Sequence, residues 1–422
     1  MTGRPSPLSI TLWVLVVAGC LIGLISFGTR ASFGLFVNPV AGPINQGGFG
    51  FGREAFAIAM AIQNLAWGIG QPIAGALADR FGPWRVIAGG GLLFSAGLAL
   101  SIFSTDPTSY SLTAGLMVGL GMSGAGHNTV LAAFGQLMPE NRRAWAMGLG
   151  TASASLGQFL VVPLGQAFIE AYGWTTAIII MACAIATTPI LALALRPRGP
   201  SAAQAPSATA MPSLTSTAQS AKQAIHQAFG YRSFWLLLLG FFVCGFHLAF
   251  ITVHLPSYLT DLGLSASTAG WAIAMVGLFN IIGGYSASIA CGRYSRKLLL
   301  SWIYFLRGLA TIVFLLLPIS PIVALGYGAV MGLLWLSTVP PTVQLVGVMF
   351  GNKYLSTLFG FVFLSHQIGG FVGVLLGGFL YSATGQYDIV WWMSVALAFF
   401  AAAVHLPIQE TLFRRPPPQQ PA

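Results

Sequence analysis

Of 422 residues, 56% are hydrophobic and only 6% are charged, where a water-soluble domain carries about 25% charged residues. So few charges could not cover the surface of a globule this large, which excludes a soluble fold. The formal net charge of +10 would fit nucleic acid or an anionic surface, and its placement along the chain decides its meaning.

The chain opens with Arg4, an apolar run and Val17-Ala18-Gly19-Cys20, a pattern that imitates a lipoprotein signal peptide. The run continues past Cys20 to about Pro39, too long for a signal segment and right for a spanning helix. With this first stretch, 10–37, apolar stretches recur near 54–78, 86–104, 111–137, 145–169, 174–195, 233–258, 269–291, 299–318, 322–347, 355–380 and 389–408. They predict an all-α membrane protein of twelve transmembrane helices, each able to cross a hydrocarbon core of about 30 Å. The 52 glycines suit such a bundle, because small residues let helix backbones approach closely. Arg196 to Arg232 is polar and rich in Ala, Ser, Thr, Gln and Pro, too poor in apolar residues to fold by itself. It divides the chain into a six-helix bundle at 1–195, a cytoplasmic linker at 196–232, a second bundle at 233–408 and a tail at 409–422.

With the N-terminus inside, 15 of the 18 basic residues fall on cytoplasmic segments, among them Arg80, Arg85, Arg142, Arg143, Arg196, Arg198, Arg293, Arg296, Lys297, Lys353, Arg414 and Arg415. The outer loops hold Glu54, Asp106, Glu170, Asp261 and Asp388 against Arg53 alone. This asymmetry places both termini in the cytoplasm and removes the need for a nucleic-acid partner. The halves also repeat each other. Gly28-Thr29-Arg30, Phe33 and Pro39 align without a gap with Gly245-Phe246-His247, Phe250 and Pro256; Ala57-Ile58-Ala59-Met60 recurs as Ala272-Ile273-Ala274-Met275; Asn141-Arg142-Arg143 returns as Asn352-Lys353.

Between the second and third helices stands Gly75-Ala76-Leu77-Ala78-Asp79-Arg80-Phe81-Gly82-Pro83-Trp84-Arg85. It resembles the loop signature of the major facilitator superfamily, with a degenerate copy at Gly284 and Gly292-Arg293-Tyr294-Ser295-Arg296-Lys297, where Ser288 is near the place of the Asp. The resemblance implies two pseudo-symmetric six-helix bundles. It also implies a conformational role for Gly75, Asp79, Arg80, Gly82 and Arg85, in which Asp79 and Arg80 hold the halves together in the outward-open state. Gly28-Thr29-Arg30-Ala31-Ser32-Phe33-Gly34-Leu35-Phe36, Gly148-Leu149-Gly150-Thr151-Ala152-Ser153, Gly157, Pro163-Leu164 and Tyr172-Gly173-Trp174 are similar to the monocarboxylate porter and oxalate–formate antiporter-like branch. The eighth helix departs from it, carrying Asn280 where carboxylate-binding relatives have an arginine.

Inside the spans lie two cations, Arg30 and Arg307, and no carboxylate. A charge at a helix centre costs about 2.5–3.5 kcal/mol on insertion scales, so it seeks a wet cavity or a partner. With no embedded acid to pair with, an anion from solution is the natural partner of Arg30. The resemblance places Arg30 toward a central cavity and Arg307 on a peripheral helix, bonded to backbone carbonyls. His127, His247, His254 and His366 occupy apolar spans. Histidine is the proton carrier left when no carboxylate is embedded, and the repeat sets His247 opposite Arg30. Asn128, Asn280 and Gln367, like Gln63, Asn64, Gln158 and Gln344, can bond substrate or link helices. The candidate substrate-binding set is Arg30, His127, Asn128, His247, His254, Asn280, His366 and Gln367.

Gly369, Gly373 and Gly377 read as a packing stripe, and Trp335, Trp391 and Trp392 as lipid or interface anchors. The cysteines Cys20, Cys183, Cys244 and Cys291 read as packing residues without metal-ligand spacing. Gly89-Gly90-Gly91 lacks the Lys-Ser/Thr of a phosphate loop, so no cofactor and no enzymatic activity is expected. The expected activity is secondary transport of a small organic anion, a monocarboxylate, across a bacterial inner membrane with protons as the coupling ion. An efflux carrier for an amphipathic drug-like compound or siderophore, or a transport-dead sensor, are the alternatives. On this topology, reporter fusions after Arg198 and Lys297 should report cytoplasm and fusions after Asp106 and Asp261 the opposite side; reversal of either pair removes the charge-based orientation.

Overall fold

The computed structural model describes residues 10–196, 220–351 and 354–412. Arg4, Arg198, Asn352, Lys353, Arg414 and Arg415, and the side chain of Asp79, lie outside the described residues. The described chain forms twelve helical rods. The first bundle holds α1 (Ile10–Ala31, extended by Phe33–Phe36 and Val37–Ala41), α2 (Gly52–Phe81), α3 (Pro83–Ser101), α4, α5 (Glu140–Tyr172) and α6 (Trp174–Ala186, Thr188–Ala192 and Leu193–Leu195). Here α4 comprises Pro107–Tyr110, a π-helical stretch Ser111–Met117, Val118–Ala125 and, after a break, His127–Leu137. The second bundle holds α7 (Arg232–Asp261), α8 (Ala266–Ala290), α9 (Arg296–Leu316), α10 (Pro321–Leu334 and Val339–Phe350), α11 (Leu355–Thr384) and α12 (Asp388–His405). Among the described residues, 10 spans are long and apolar enough to cross a membrane. The other two rods are α2, which carries charges at both ends, and the broken α4.

The rods overrun the apolar stretches by a few residues because polar caps set their ends. Asp106 accepts from the Thr108 N–H at 2.8 Å and the Ser109 N–H at 3.0 Å, and Ser265, Ser295 and Ser320 cap α8, α9 and α10 in the same way. Pro83, Pro107 and Pro321 begin their helices, where no N–H is required. At Gly82, between α2 and α3, φ is +86°, a turn that a side chain would strain.

Arg53 at the start of α2 meets Asp261 at the end of α7. Gln409, just past α12, bonds Ser233 at the start of α7 at 3.1 Å, and Leu15 of α1 clusters with Met138 and Leu195. The beginning of α1 and the end of α12 therefore share one face, the near face, while the Arg53–Asp261 pair lies on the far face.

The halves touch from the middle of the bundle to the far face. Gln158 on α5 donates to the Ile273 carbonyl of α8 at 3.1 Å, and Trp67 of α2 meets Phe363 of α11 with ring centroids 5.4 Å apart. A Cβ on Gly34 would collide with the Thr252 carbonyl of α7. Toward the near face the first bundle packs on itself: the cluster of Leu15, Ile87, Phe134, Met138 and Leu195 contains no residue of the second half. Within the second half, the stripe Gly369, Gly373 and Gly377 lies against the Phe242 carbonyl, the Phe246 carbonyl and the His254 ring of α7, so α11 and α7 pack at backbone distance.

Two expectations change. Trp335 and Trp391 are buried in the core, and only Trp392 is half exposed; hydropathy cannot separate a tryptophan facing lipid from one facing a neighbouring helix. Part of the polar linker is helical, with Ala221–Phe229 capped by Ser220 and Phe229 packed on Phe234, Trp235 and Phe361. The degenerate loop of the second half recruits an acid from beyond α12. Glu410 accepts from Ser295 Oγ at 2.6 Å and from the Lys297 N–H at 2.7 Å. Burial pushes its carboxyl up, but these bonds and the Arg296 guanidinium together hold it below the usual carboxylate range.

Arg307 is fully buried and serves the backbone. Its Nε donates to the Leu334 carbonyl at 3.1 Å and a terminal nitrogen donates to the Trp335 carbonyl, covering the acceptors exposed where α10 breaks. Asn280 accepts from the Leu336 N–H at 3.0 Å and donates to Ser155 of α5 at 2.9 Å. Arg307→Met keeps the buried stem but strips these carbonyls of their donor. It should lower stability by about 1–3 kcal/mol for each carbonyl left unpaired, read as earlier thermal unfolding in detergent; an unchanged midpoint would show that the break needs no cap.

Candidate functional site

The break in α4 is treated differently from the break in α10. Gly126 is extended, with ψ of 163°, and a fresh 11-residue helix starts at His127. The first N–H groups of a helix have no intrahelical acceptor, and their dipoles leave a partial positive charge there. His127 and Asn128 occupy this first turn, and both are half-buried. His127 Nδ1 has no hydrogen-bond partner.

Arg30, near the end of the first segment of α1, stands beside it. Its guanidinium donates to Asn64 Oδ1 of α2 at 3.3 Å and lies 4.8 Å from the Trp67 ring and 5.9 Å from the Phe27 ring. Phe27 joins the two groups, since its ring is also 5.7 Å from the His127 ring, edge to face. Asn64 is oriented by its own bond to the Met60 carbonyl at 2.8 Å, and Trp67 Nε1 donates to Gln71 at 3.1 Å. Arg30 is only half-buried.

Of the other sequence candidates, Gln367 borders this group from α11, while the His366 ring packs on Phe241 of α7, centroids 5.0 Å apart, and on Phe363. Gln367 Nε2 donates to the Asn64 carbonyl at 3.4 Å, and its Oε1 accepts from His366 Nδ1 at 2.9 Å. His247 stands elsewhere. It is buried between α7 and α12, its Nε2 2.8 Å from the Ser394 carbonyl, so the repeat that aligns it with Arg30 in sequence does not place it across from Arg30 in space. His254 is buried higher up, bonded to Val374 and Tyr387. Asn280 spends its amide on α5 and α10. The residues the sequence reading left out are Phe27, Trp67 and Gly126. Only Gly126, directly before a histidine in an apolar stretch, carried a signal for a break.

In the loop signature, Gly82 forms the positive-φ turn, Gly75 has open space around it, Arg80 rests on the Phe81 ring at 5.1 Å and Arg85 on the Trp84 ring at 5.1 Å.

The far face is held by a clasp. Arg53 forms a two-pronged ion pair with Asp261, its second prong at 2.6 Å. The same guanidinium donates to Asn38 Oδ1 at 2.8 Å and to the Tyr387 oxygen at 3.4 Å, and lies 4.1 Å from the Tyr381 ring. Asn38 continues across the halves to Thr260 at 2.9 Å. Bidentate arginine–carboxylate pairs are the strong and directional kind. Beneath the clasp, a space of about 260 Å³ lined by Gly34, Asn38, Gln166, Pro256, Ser257 and Thr260 offers no charge to hold an ion.

A family model described as Major Facilitator Superfamily matches residues 19–374. The chain is 25% identical to an uncharacterized MFS-type transporter, YcxA, of Bacillus subtilis (strain 168), over 91% of each protein. It is 27% identical to monocarboxylate transporter 13 of Bos taurus, over 89% of this chain and 84% of that one, and 26% identical to monocarboxylate transporter 11 of Homo sapiens, over 95% and 83%. Among solved structures, a D-xylose-proton symporter superposes with a TM-score of 0.71 at 15% identity, covering 94% of this chain and 98% of that one. A bacterial homolog of the human lysosomal transporter Spinster, in an inward-facing and unoccupied conformation, gives 0.72 at 14%, covering 94% and 97%.

If the Arg53–Asp261 pair closes the far face, Arg53→Asp should expose the space under it and Asp261→Arg should do the same, while the double exchange restores closure in part. The measurement is the labelling rate of a cysteine at Ser257, buried beneath the clasp, by a bulky maleimide in detergent, in a background without native cysteines. Equal rates in wild type and both single variants would show that the pair does not hold the closure.

Proposed function

The chain belongs to the Major Facilitator Superfamily, a family of multi-pass membrane transporters, and we propose that it carries a small organic anion, a monocarboxylate, by alternating access with a proton as coupling ion. The observation that carries this reading is the convergence at the α4 break of Arg30, the start of a helix at His127 and Asn128, whose first-turn N–H groups lack intrahelical acceptors, and the unpartnered His127 Nδ1. Three sources of positive potential or hydrogen-bond capacity meet there. A discontinuous helix whose N-terminus points at an anion is the usual way a membrane carrier holds a carboxylate at depth.

Each group has a role in this reading. Arg30 supplies the charge and, through its planar fork, two parallel bonds to a carboxylate. Asn64 holds the guanidinium in place. Phe27 and Trp67 flank the cation and present apolar faces to a short carbon chain, as an organic acid requires. Gln367 closes the site from the second half, with His366 bonded behind it, so substrate would be felt by both bundles. Asp79 and Arg80 are assigned to stabilising the conformer open at the far face. The near face is assigned to the cytoplasm of a bacterial inner membrane by its basic residues. An amphipathic cation would find the wrong potential at this site, which weighs against the drug-efflux alternative. The monocarboxylate transporters among the relatives support the substrate class.

The test is flux in proteoliposomes. Uptake of radiolabelled short monocarboxylates should rise with an inward proton gradient. Arg30→Gln should reduce it by roughly tenfold or more, and Arg30→Lys should keep a measurable part, because charge survives while the fork is lost. Undiminished uptake by Arg30→Gln would remove the anion site.

A further inference from the structure

His254 is fully buried on α7, and its two ring nitrogens have fixed roles. Nε2 lies 2.9 Å from the Val374 carbonyl, which can only accept, so Nε2 carries a proton. In the neutral ring Nδ1 is then the acceptor, and the Tyr387 hydroxyl stands 3.3 Å from it. Tyr387 gives its hydrogen to His254 and offers its oxygen to Arg53, which donates from 3.4 Å. Arg53 in turn holds Asp261. Donated bonds therefore run from Arg53 of the clasp through Tyr387 to the buried imidazole and on to Val374.

We infer that His254 is the proton-sensing residue of far-face closure, and that Tyr387 transmits its protonation state to the Arg53–Asp261 clasp. Protonation turns Nδ1 from acceptor into donor. The Tyr387 hydroxyl then loses its acceptor and must swing away or present its lone pairs to the ring, in competition with Arg53. A second cation is also created beside Arg53 at a fully buried position, at a cost that opening the far face to solvent relieves. The charged and titratable groups around the ring are Arg53 from α2, Asp261 and Tyr258 from α7, Tyr381 from α11, and Tyr387 and Asp388 from α12. The carboxylate of Asp261 is already engaged by Arg53. Closure and protonation thus exclude each other, and linkage makes the effect reciprocal: acid favours the far-open state, and the far-open state binds the proton. Gly377 makes the arrangement possible, since a Cβ there would strike the imidazole.

This inference rests on alternating access but not on the substrate, so it is tested by distance rather than by flux. Spin labels at Thr105 and Ile322, exposed far-face positions on the two halves, would report opening by electron–electron distance measurement in a background without native cysteines. Lowering the pH from 8 to 5.5 without substrate should raise the far-open fraction of the otherwise wild-type protein roughly tenfold. His254→Gln and Tyr387→Phe should each flatten that dependence. Tyr387→Phe keeps the imidazole and removes only the relay, so a purely structural histidine would leave its pH response intact. A pH-independent wild type, or a wild-type response surviving in either variant, overturns the inference, whatever happens to anion transport.

Discussion

A backbone N–H or C=O left unpaired in hydrocarbon costs several kcal/mol, so irregular chain inside a bilayer must be covered by protein or must line a cavity. This protein breaks two spans, α4 at Gly126 and α10 at Leu334 to Val339. In α10 the released carbonyls go to Arg307 and a released N–H goes to Asn280. In α4 the new helix starts beside Arg30, joined to it through Phe27, and Thr129 of its first turn donates to the Ser123 carbonyl across the break at 2.9 Å. The two breaks are thus covered differently, one by a buried arginine from another helix and one by a hydroxyl of its own.

The same accounting separates the two arginines within the spans. Arg307 at zero exposure stays tolerable because carbonyl dipoles and the Cys244 sulfur, 3.4 Å away, surround it. Arg30 is half-buried and has one amide oxygen and two ring faces around it, so its charge is compensated less fully than that of Arg307. A carboxylate in place of Asn64 would pair with it outright.

Alternating access needs halves that separate without unfolding. Inside the second half, Gly245, Gly369 and Gly373 bring α7 and α11 to backbone contact, which resists separation. Between the halves, close approaches at Gly34 and Gly277 are joined by polar links: the clasp at Arg53, the Asn38–Thr260 bond, and the reach of Gln367 to Asn64. The clasp is a two-pronged pair on a mostly buried guanidinium, so opening the far face exchanges strong, directional bonds for hydration while each bundle keeps its core.

Much of the fold was legible because it depends on composition and order. Stretches such as 174–195 and 233–258 are apolar enough to identify themselves, and the loop at Asp79 to Arg85 marks the family. Arg30 stood out because a lone charge in an apolar stretch needs an explanation wherever it sits. What the sequence could not determine was direction around each helix. His247 and Arg30 align in the repeat, yet one turns to the Ser394 carbonyl and the other to Asn64. A repeat records backbone ancestry, while the side chain facing a cavity depends on helix rotation and on which neighbour fills the space. Trp335 and Trp391 were hidden from view for the same reason. Tertiary structure alone decided that Arg53, Asp261, Tyr387 and His254 form one chain of bonds, because residues 208 and 334 positions apart meet only once the two bundles close on each other.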